Sequence, residues 1–364
     1  MIGKVVCELP PSKENRRNSE GSFITLKNGD ILFAYSYYKG KSWADDADAD
    51  IYAVKSSDNG ETFSEPYLLY SHTAVDAQNI MAASLCRLKN GDLGLLFLAK
   101  RGNGLCLPLF LRSADEGETW SSPVDVFNEE DYYCVVNDRI IVGENGRLIV
   151  PASRHRVTKW HVVDGESRVL EIDAGTLSVF GSDDDGFTWK ALYEGGEIPY
   201  SRGVKGGLAE PGAVHLGNGK IWCFVRNESG RQYECFSEDN GEAFSKLLPS
   251  WFTSPEAPMS AKKLSDGRIL AIWNPVPKYN GRPDKVDGVL TLCRTPFAMA
   301  TSSDNGETFG NIKILEDDPK AGFCYTAIHE TSDGCVLLGY SAGGTGDECC
   351  LNRQRIRKIP LSEI

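Results

Sequence analysis

The chain has 364 residues, with 41% hydrophobic residues, 25% charged residues and a formal net charge of −12 at pH 7. That composition is globular, and no apolar run approaches the ~18 residues that would read as a membrane span. The acidic balance argues against nucleic acid and anionic membranes as partners, and any anionic substrate would have to meet a local cluster of Arg or Lys.

The N-terminus, MIGKVVCELPPSKENRR, lacks a basic start followed by an apolar core, so no secretory signal is read and a cytoplasmic protein is expected. The first unit then runs SFITL, a turn, DILFAYSYY, the acidic loop KGKSWADDADADI, IYAVKSS, a second turn and EPYLLY. These are short strands without helical periodicity. The first turn, in LKNGDIL (26–32), has later counterparts in LKNGDLG (88–94), GENGRLI (143–149), LGNGKIW (216–222), LSDGRIL (264–270) and TSDGCVL (331–337). An Asn-Gly or Asp-Gly step between apolar runs predicts a tight hairpin of type I′, with positive φ at both central residues. The second turn, SSDNGETF (56–63), returns as SADEGETW (113–120), SDDDGFTW (182–189), SEDNGEAF (237–244) and again as SSDNGETF (302–309). The shared skeleton is S-x-D-x-G-x-T-[WF], with Ala243 in place of Thr in one copy.

Repeats at this spacing mark an architecture. Six hairpins predict an all-β fold: a six-bladed β-propeller of four-stranded antiparallel blades, forming a single domain over residues 1–364. The octapeptide joins strands 3 and 4 of a blade. Its Asp can accept from turn amides, its Gly can take positive φ, and its aromatic residue can pack between blades. A calcium or sugar site in each copy is the weaker reading, because such turns need no ligand. Blade 6 has no octapeptide after LNRQRIRKIPL (351–361), and the apolar GKVVCELP can supply its outer strand and close the ring. The eleven cysteines have no C-x-x-C spacing and read as reduced, packed thiols.

Antiparallel geometry puts both turn types on one face of the disc. The other face collects the starts of strand 1, the ends of strand 2 and the 2–3 loops. Arg17, Asp45, Glu210, Arg226, Arg294 and Tyr325 are expected to converge there, with Lys100, Arg154 and His155 at the rim. Each has a structural alternative: the arginines as surface charges, Tyr325 as a core aromatic, Trp43 and Trp160 as packing rather than sugar platforms. The loop WADDADAD is either a solvated acidic loop or a metal site, and it lacks the Gly and the closing Glu of a calcium loop.

Five such boxes on six blades resemble the sialidase superfamily, whose "Asp box" this is, and the resemblance covers nearly the whole chain. It implies an exo-glycosidase that needs no cofactor or metal and acts on an acidic-sugar glycan. Asp45, thirteen residues before Asp58, matches the acid/base Asp. Glu210 in AEPGAVHL matches the Glu that assists the nucleophile, and Tyr325 in CYTAI matches the nucleophilic tyrosine. Arg226 and Arg294 resemble the second and third members of an arginine triad. The family writes the first as Arg-Ile-Pro, which is absent here; Arg17 in RRNSEG stands nearest, with Glu20 beside it as a possible salt-bridge partner.

The residue types suit that chemistry. Guanidinium forks bind a carboxylate bidentately. A tyrosine is neutral until it attacks, so it avoids the repulsion an anionic nucleophile would meet at the anomeric carboxylate. The alternatives are a related hydrolase for another acidic sugar, such as a Kdo- or Kdn-type keto acid or a uronate, and a glycan-binding propeller without catalysis. Nothing in the sequence fixes an oligomeric state.

Overall fold

The computed structural model describes residues 2–101, 105–127, 131–163, 166–199, 206–278 and 282–364, with no side chains described over 157–172. Blade 1 is a four-stranded sheet of Asn15–Thr25, Ile31–Lys39, Ala49–Ser56 and Tyr67–Tyr70. Blade 2 contains Asn79–Arg87, Leu93–Arg101, Leu105–Ser113 and Val124–Asp125, and blade 3 contains Ile141–Val142, Leu148–His155, Thr176–Ser182 and Lys190–Gly196. Between them, Tyr132–Cys134 pairs with blade 3 and bridges to blade 2, which joins the two into one sheet. Blade 4 contains Ala209–Gly217, Lys220–Arg226, Arg231–Ser237 and Leu248–Thr253. Blade 5 contains Ser260–Lys263, Ile269–Trp273, Phe297–Ser302 and Gly310–Glu316.

Blade 6 has three consecutive strands, Cys324–Glu330, Cys335–Ser341 and Gln354–Pro360. Its fourth is the N-terminal Lys4–Leu9, antiparallel to Gln354–Pro360, so the two ends of the chain close the ring as the apolar GKVVCELP suggested. Among the described residues no helix is long and apolar enough to cross a membrane. All eleven cysteines are free thiols.

The boxes fasten the blades. In the first, Asp58 Oδ1 accepts from the Glu61 and Thr62 amides at 3.0 and 2.9 Å, and its Oδ2 accepts from Thr62 Oγ1 at 2.6 Å. Asn59 and Gly60 both take positive φ. The box aromatic then packs against the preceding blade. Phe63 joins the blade 6 cluster around Leu337 and Ile356, Trp189 meets Phe110 of blade 2, Phe244 meets Tyr193 of blade 3, and Phe309 meets Trp222 and Phe252 of blade 4.

Hairpins and boxes share one face, because each touches the next blade's partner. The Lys27 amide donates to Glu116, the Lys89 amide to Asp185, Arg147 pairs with Glu242, and Ser332 donates to Asn59. The hairpin type differs from the expected I′ in five blades. Gly29 N donates to the Leu26 carbonyl and Leu26 N to the Asp30 carbonyl, with positive φ at Gly29 but not at Asn28. That is a type I turn followed by a left-handed glycine, the three-residue hairpin solution. The turns at Gly91, Gly146, Gly267 and Gly334 repeat it. Only blade 4, with positive φ at both Asn218 and Gly219, forms the two-residue I′ loop.

Candidate active site

Four of the innermost strands share one irregularity. Their pairing skips two residues between Ser19 and Ser22, Met81 and Ser84, Ala209 and Gly212, and Cys324 and Ala327, each against a single residue on the neighbouring strand. The first skipped residue has positive φ in every case: Glu20 (56°), Ala82 (61°), Glu210 (48°) and Tyr325 (57°). A bulge of this kind re-aims a side chain, and for non-glycine residues the conformation costs on the order of 1–3 kcal/mol. All four residues line one cavity of about 80 Å³ on the face opposite the boxes, together with Asp45, Lys100 and Tyr132.

The Tyr325 hydroxyl donates to Glu210 Oε1 at 2.8 Å. Glu210 Oε2 accepts from Arg226, whose other terminal nitrogen lies 2.9 Å from Glu256 Oε1. Burial pushes Glu210 up, but the Arg226 and Arg294 charges and the bonds from Arg226 and Tyr325 outweigh it and hold the carboxyl below its usual range. Burial and the Glu210 charge raise the Tyr325 phenol well above the ordinary value. The tyrosine is thus neutral beside an ionised acceptor. Asn137 donates to the carbonyls of Gly21 and Tyr325 at 2.6 and 3.1 Å, pinning the blade 1 and blade 6 bulges together.

Arg294 is 2% exposed. Its guanidinium lies 5.2 Å from the Tyr325 ring centroid, donates to Cys324 Sγ at 3.0 Å and reaches the Glu256 carbonyl at 3.4 Å. Arg226 and Arg294 therefore converge on Glu256, behind Glu210 and Tyr325, and neither is among the residues lining the small cavity. The Nε of each has no hydrogen-bond partner among the described residues. Arg17 is 1% exposed and engaged throughout: Nε to Ser19 Oγ at 2.8 Å, one terminal nitrogen to Asp45 Oδ1 at 2.5 Å and the Trp43 carbonyl at 3.3 Å, the other to Glu20 Oε1 at 2.5 Å. It sits between two carboxylates rather than offering an open fork.

Asp45 is 62% exposed at its side chain, on a loop whose carbonyls accept from Asn79 and Lys100, both at 2.7 Å. Burial of its surroundings pushes it up, but Arg17 and Lys100 hold it below the usual carboxylate range. Farther along that loop, Asp48 and Asp50 pair with Lys39 and His72. Of the expected rim residues, Lys100 borders the cavity, whereas Arg154 pairs with Asp131 and lines a separate cavity of about 580 Å³. His155 is buried against the Asp173 carbonyl. The side chain of Trp160 lies outside the described residues.

Two residues escaped the sequence reading. From the sequence Glu20 reads only as a partner of Arg17, and Glu256 carries no signal. Glu20, in RRNSEG, lies at the bulge within strand 1 of blade 1, the bulged position that Glu210 and Tyr325 hold in their blades, and Glu256, in SPEAPMS, lies just before strand 1 of blade 5.

The profile of the BNR repeat-like domain matches residues 96–338. None of the curated proteins matches the chain. Among solved structures, the Hadza microbial sialidase Hz136 superposes with a TM-score of 0.72 at 15% identity, covering 96% of this chain and 66% of that one. This chain thus spans just under two thirds of that sialidase's length. The intramolecular trans-sialidase from Ruminococcus gnavus has a TM-score of 0.68 at 16% identity, covering 98% and 97%. A protein of unknown function from Dyadobacter fermentans has a TM-score of 0.69 at 18% identity, covering 98% and 99%. At such identities these likenesses speak for the propeller fold.

Proposed function

The chain belongs to the BNR repeat-like domain family, and on that premise we propose that it is a retaining exo-glycosidase releasing a terminal acidic sugar, most simply an exo-α-sialidase. The observation that carries this reading is the Tyr325–Glu210 pair at 2.8 Å, with the carboxylate anchored by Arg226. A binding module needs neither an activated phenol nor a carboxylate to take its proton.

In the proposed reaction the Tyr325 oxygen attacks the anomeric carbon and its proton passes to Glu210. The glycosidic C–O bond breaks as Asp45 gives a proton to the leaving oxygen. Water then attacks the glycosyl–tyrosine bond, losing its proton to Asp45, while the departing phenolate recovers its own from Glu210. The substrate carboxylate is assigned to Arg226 and Arg294, displacing the Glu256 carboxylate, which pairs with Arg226 in the free protein, while Arg294 meets only the Glu256 main-chain carbonyl. The reading treats residues 1–364 as one sialidase-like domain without cofactor, in the cytoplasm, where eleven free thiols are stable. The engagement of Arg17 favours a second version, in which the substrate is another acidic sugar of Kdo, Kdn or uronate type met by two arginines.

Hydrolysis of a panel of fluorogenic acidic glycosides tests the activity and separates these substrates. For the mechanism, Tyr325→Phe is expected to lower kcat on the order of 10³-fold or more while leaving folding and acidic-sugar binding intact. Trapping with a fluorinated acidic-sugar inactivator should label Tyr325 in peptide mass analysis. A label elsewhere, or full activity in the Phe variant, would sink the assignment.

A further inference from the structure

We propose that Glu20 is a positioning residue for the acid/base step: it shares the Arg17 guanidinium with Asp45 and so sets how readily Asp45 binds and releases its proton. The inference rests on the reading of Asp45 as the acid/base.

The geometry is that of one cation between two carboxylates. Arg17 meets Glu20 and Asp45 each at 2.5 Å, through different terminal nitrogens. The carboxylates differ in freedom: the Glu20 side chain is 4% exposed and the Asp45 side chain 62%. Glu20 is fixed by its bulge and accepts a second bond from Ser19 Oγ at 3.1 Å. Asp45 stands on a loop and can turn toward a ligand.

A general acid must leave its cation and carry a proton. Were Asp45 the sole carboxylate partner of a buried guanidinium, its departure would strand that charge in a poorly solvated site. With Glu20 in place, Arg17 keeps a partner throughout. The trio has net charge −1 with Asp45 ionised and zero with it protonated, so Glu20 favours proton uptake at Asp45.

Other charges bear on the pair. Lys100 and Arg294 add positive potential at Asp45. Burial pushes the Glu20 carboxyl up against the pull of Arg17, helped by Asp45 and, less, by Glu210, which lines the same cavity. Tyr38, Tyr132 and Cys106 in the same wall are held neutral by burial, and Tyr325 by burial and Glu210.

The test is a carboxyl ¹³C NMR titration of Asp45 in the wild type, Glu20→Gln and Glu20→Asp, which needs no substrate. Glu20→Gln removes the negative charge and should lower the Asp45 pKa by about one pH unit or more. Glu20→Asp draws the carboxylate back by one methylene and should produce a smaller shift in the same direction, which serves if the Gln variant does not fold. In kcat/KM profiles, the alkaline limb should move to lower pH by the same amount. An Asp45 pKa unmoved in the folded variants overturns the inference whatever the protein hydrolyses. A shifted pKa in a protein that cleaves no acidic glycoside upholds the electrostatic coupling and refutes the proposed reaction instead.

Discussion

Replacing Arg226 or Arg294 with Lys keeps the charge and removes the planar fork. For an acidic-sugar ligand the expected loss is about 1–3 kcal/mol of affinity in each variant, measured by calorimetry. Arg294→Lys should also lower kcat, because the guanidinium contacts Cys324 Sγ and lies over the Tyr325 ring. Unchanged affinity in both variants would remove the carboxylate clamp from the proposed function. At this scale the sequence disclosed residue types but not their pairings. That Tyr325 and Glu210, 115 positions apart, share a hydrogen bond follows from two bulges, and bulges leave no fixed letter in the sequence. Glu, Ala and Tyr all occupy the bulged position.

The Asp box is the element whose chemistry can be tested most directly. Asp58, Asp115 and Asp304 are lowered to about 2, chiefly by the hydroxyl of the following Thr and then by its amide. The box at Asp239 has Ala243 instead and lacks the hydroxyl bond. Ala243→Thr should therefore stabilise the protein by about 0.5–1 kcal/mol, read as a higher urea midpoint at pH 7. A carboxylate whose pKa is depressed on folding contributes stability above its unfolded value near 3.8, lost as pH falls toward its folded value. The gain should accordingly fade between about pH 4 and 2. A midpoint unchanged at pH 7 would mean that the hydroxyl exchanges evenly with water. The hairpins make the opposite point. The Asn-Gly or Asp-Gly step located all six turns, but the type I′ expected of it holds only in blade 4, since the same dipeptide fits a two-residue or a three-residue loop.

Closure is a property of the whole molecule. The strand Lys4–Leu9 covers the open edge of Gln354–Pro360, and Glu8 accepts from Arg355 at 2.7 Å within a network that includes Glu316 and Arg357. Deleting residues 1–9 should lower the melting temperature and promote association, because it uncovers a full strand edge. Glu8→Ala alone should cost about 1 kcal/mol or less, since that pair is partly solvated. Thermal melts and light scattering on the two variants separate the backbone contribution from the ion pair. A deletion no more damaging than Glu8→Ala would show that the ring holds without this strand.

The sequence by itself determined the repeat, the blade count, the closure by the N-terminal strand and the separation of the two faces. These follow from local turn chemistry and strand alternation, which act within a few residues and recur in every blade. Only the tertiary structure decided which groups pair at the axis. Arg17 could be read as a third open arm until folding placed it between Glu20 and Asp45. Glu256 had no visible role until blades 4 and 5 brought two arginines to it. The energy of a buried charge depends on what surrounds it in space, and in a ring of blades those surroundings come from residues far apart along the chain.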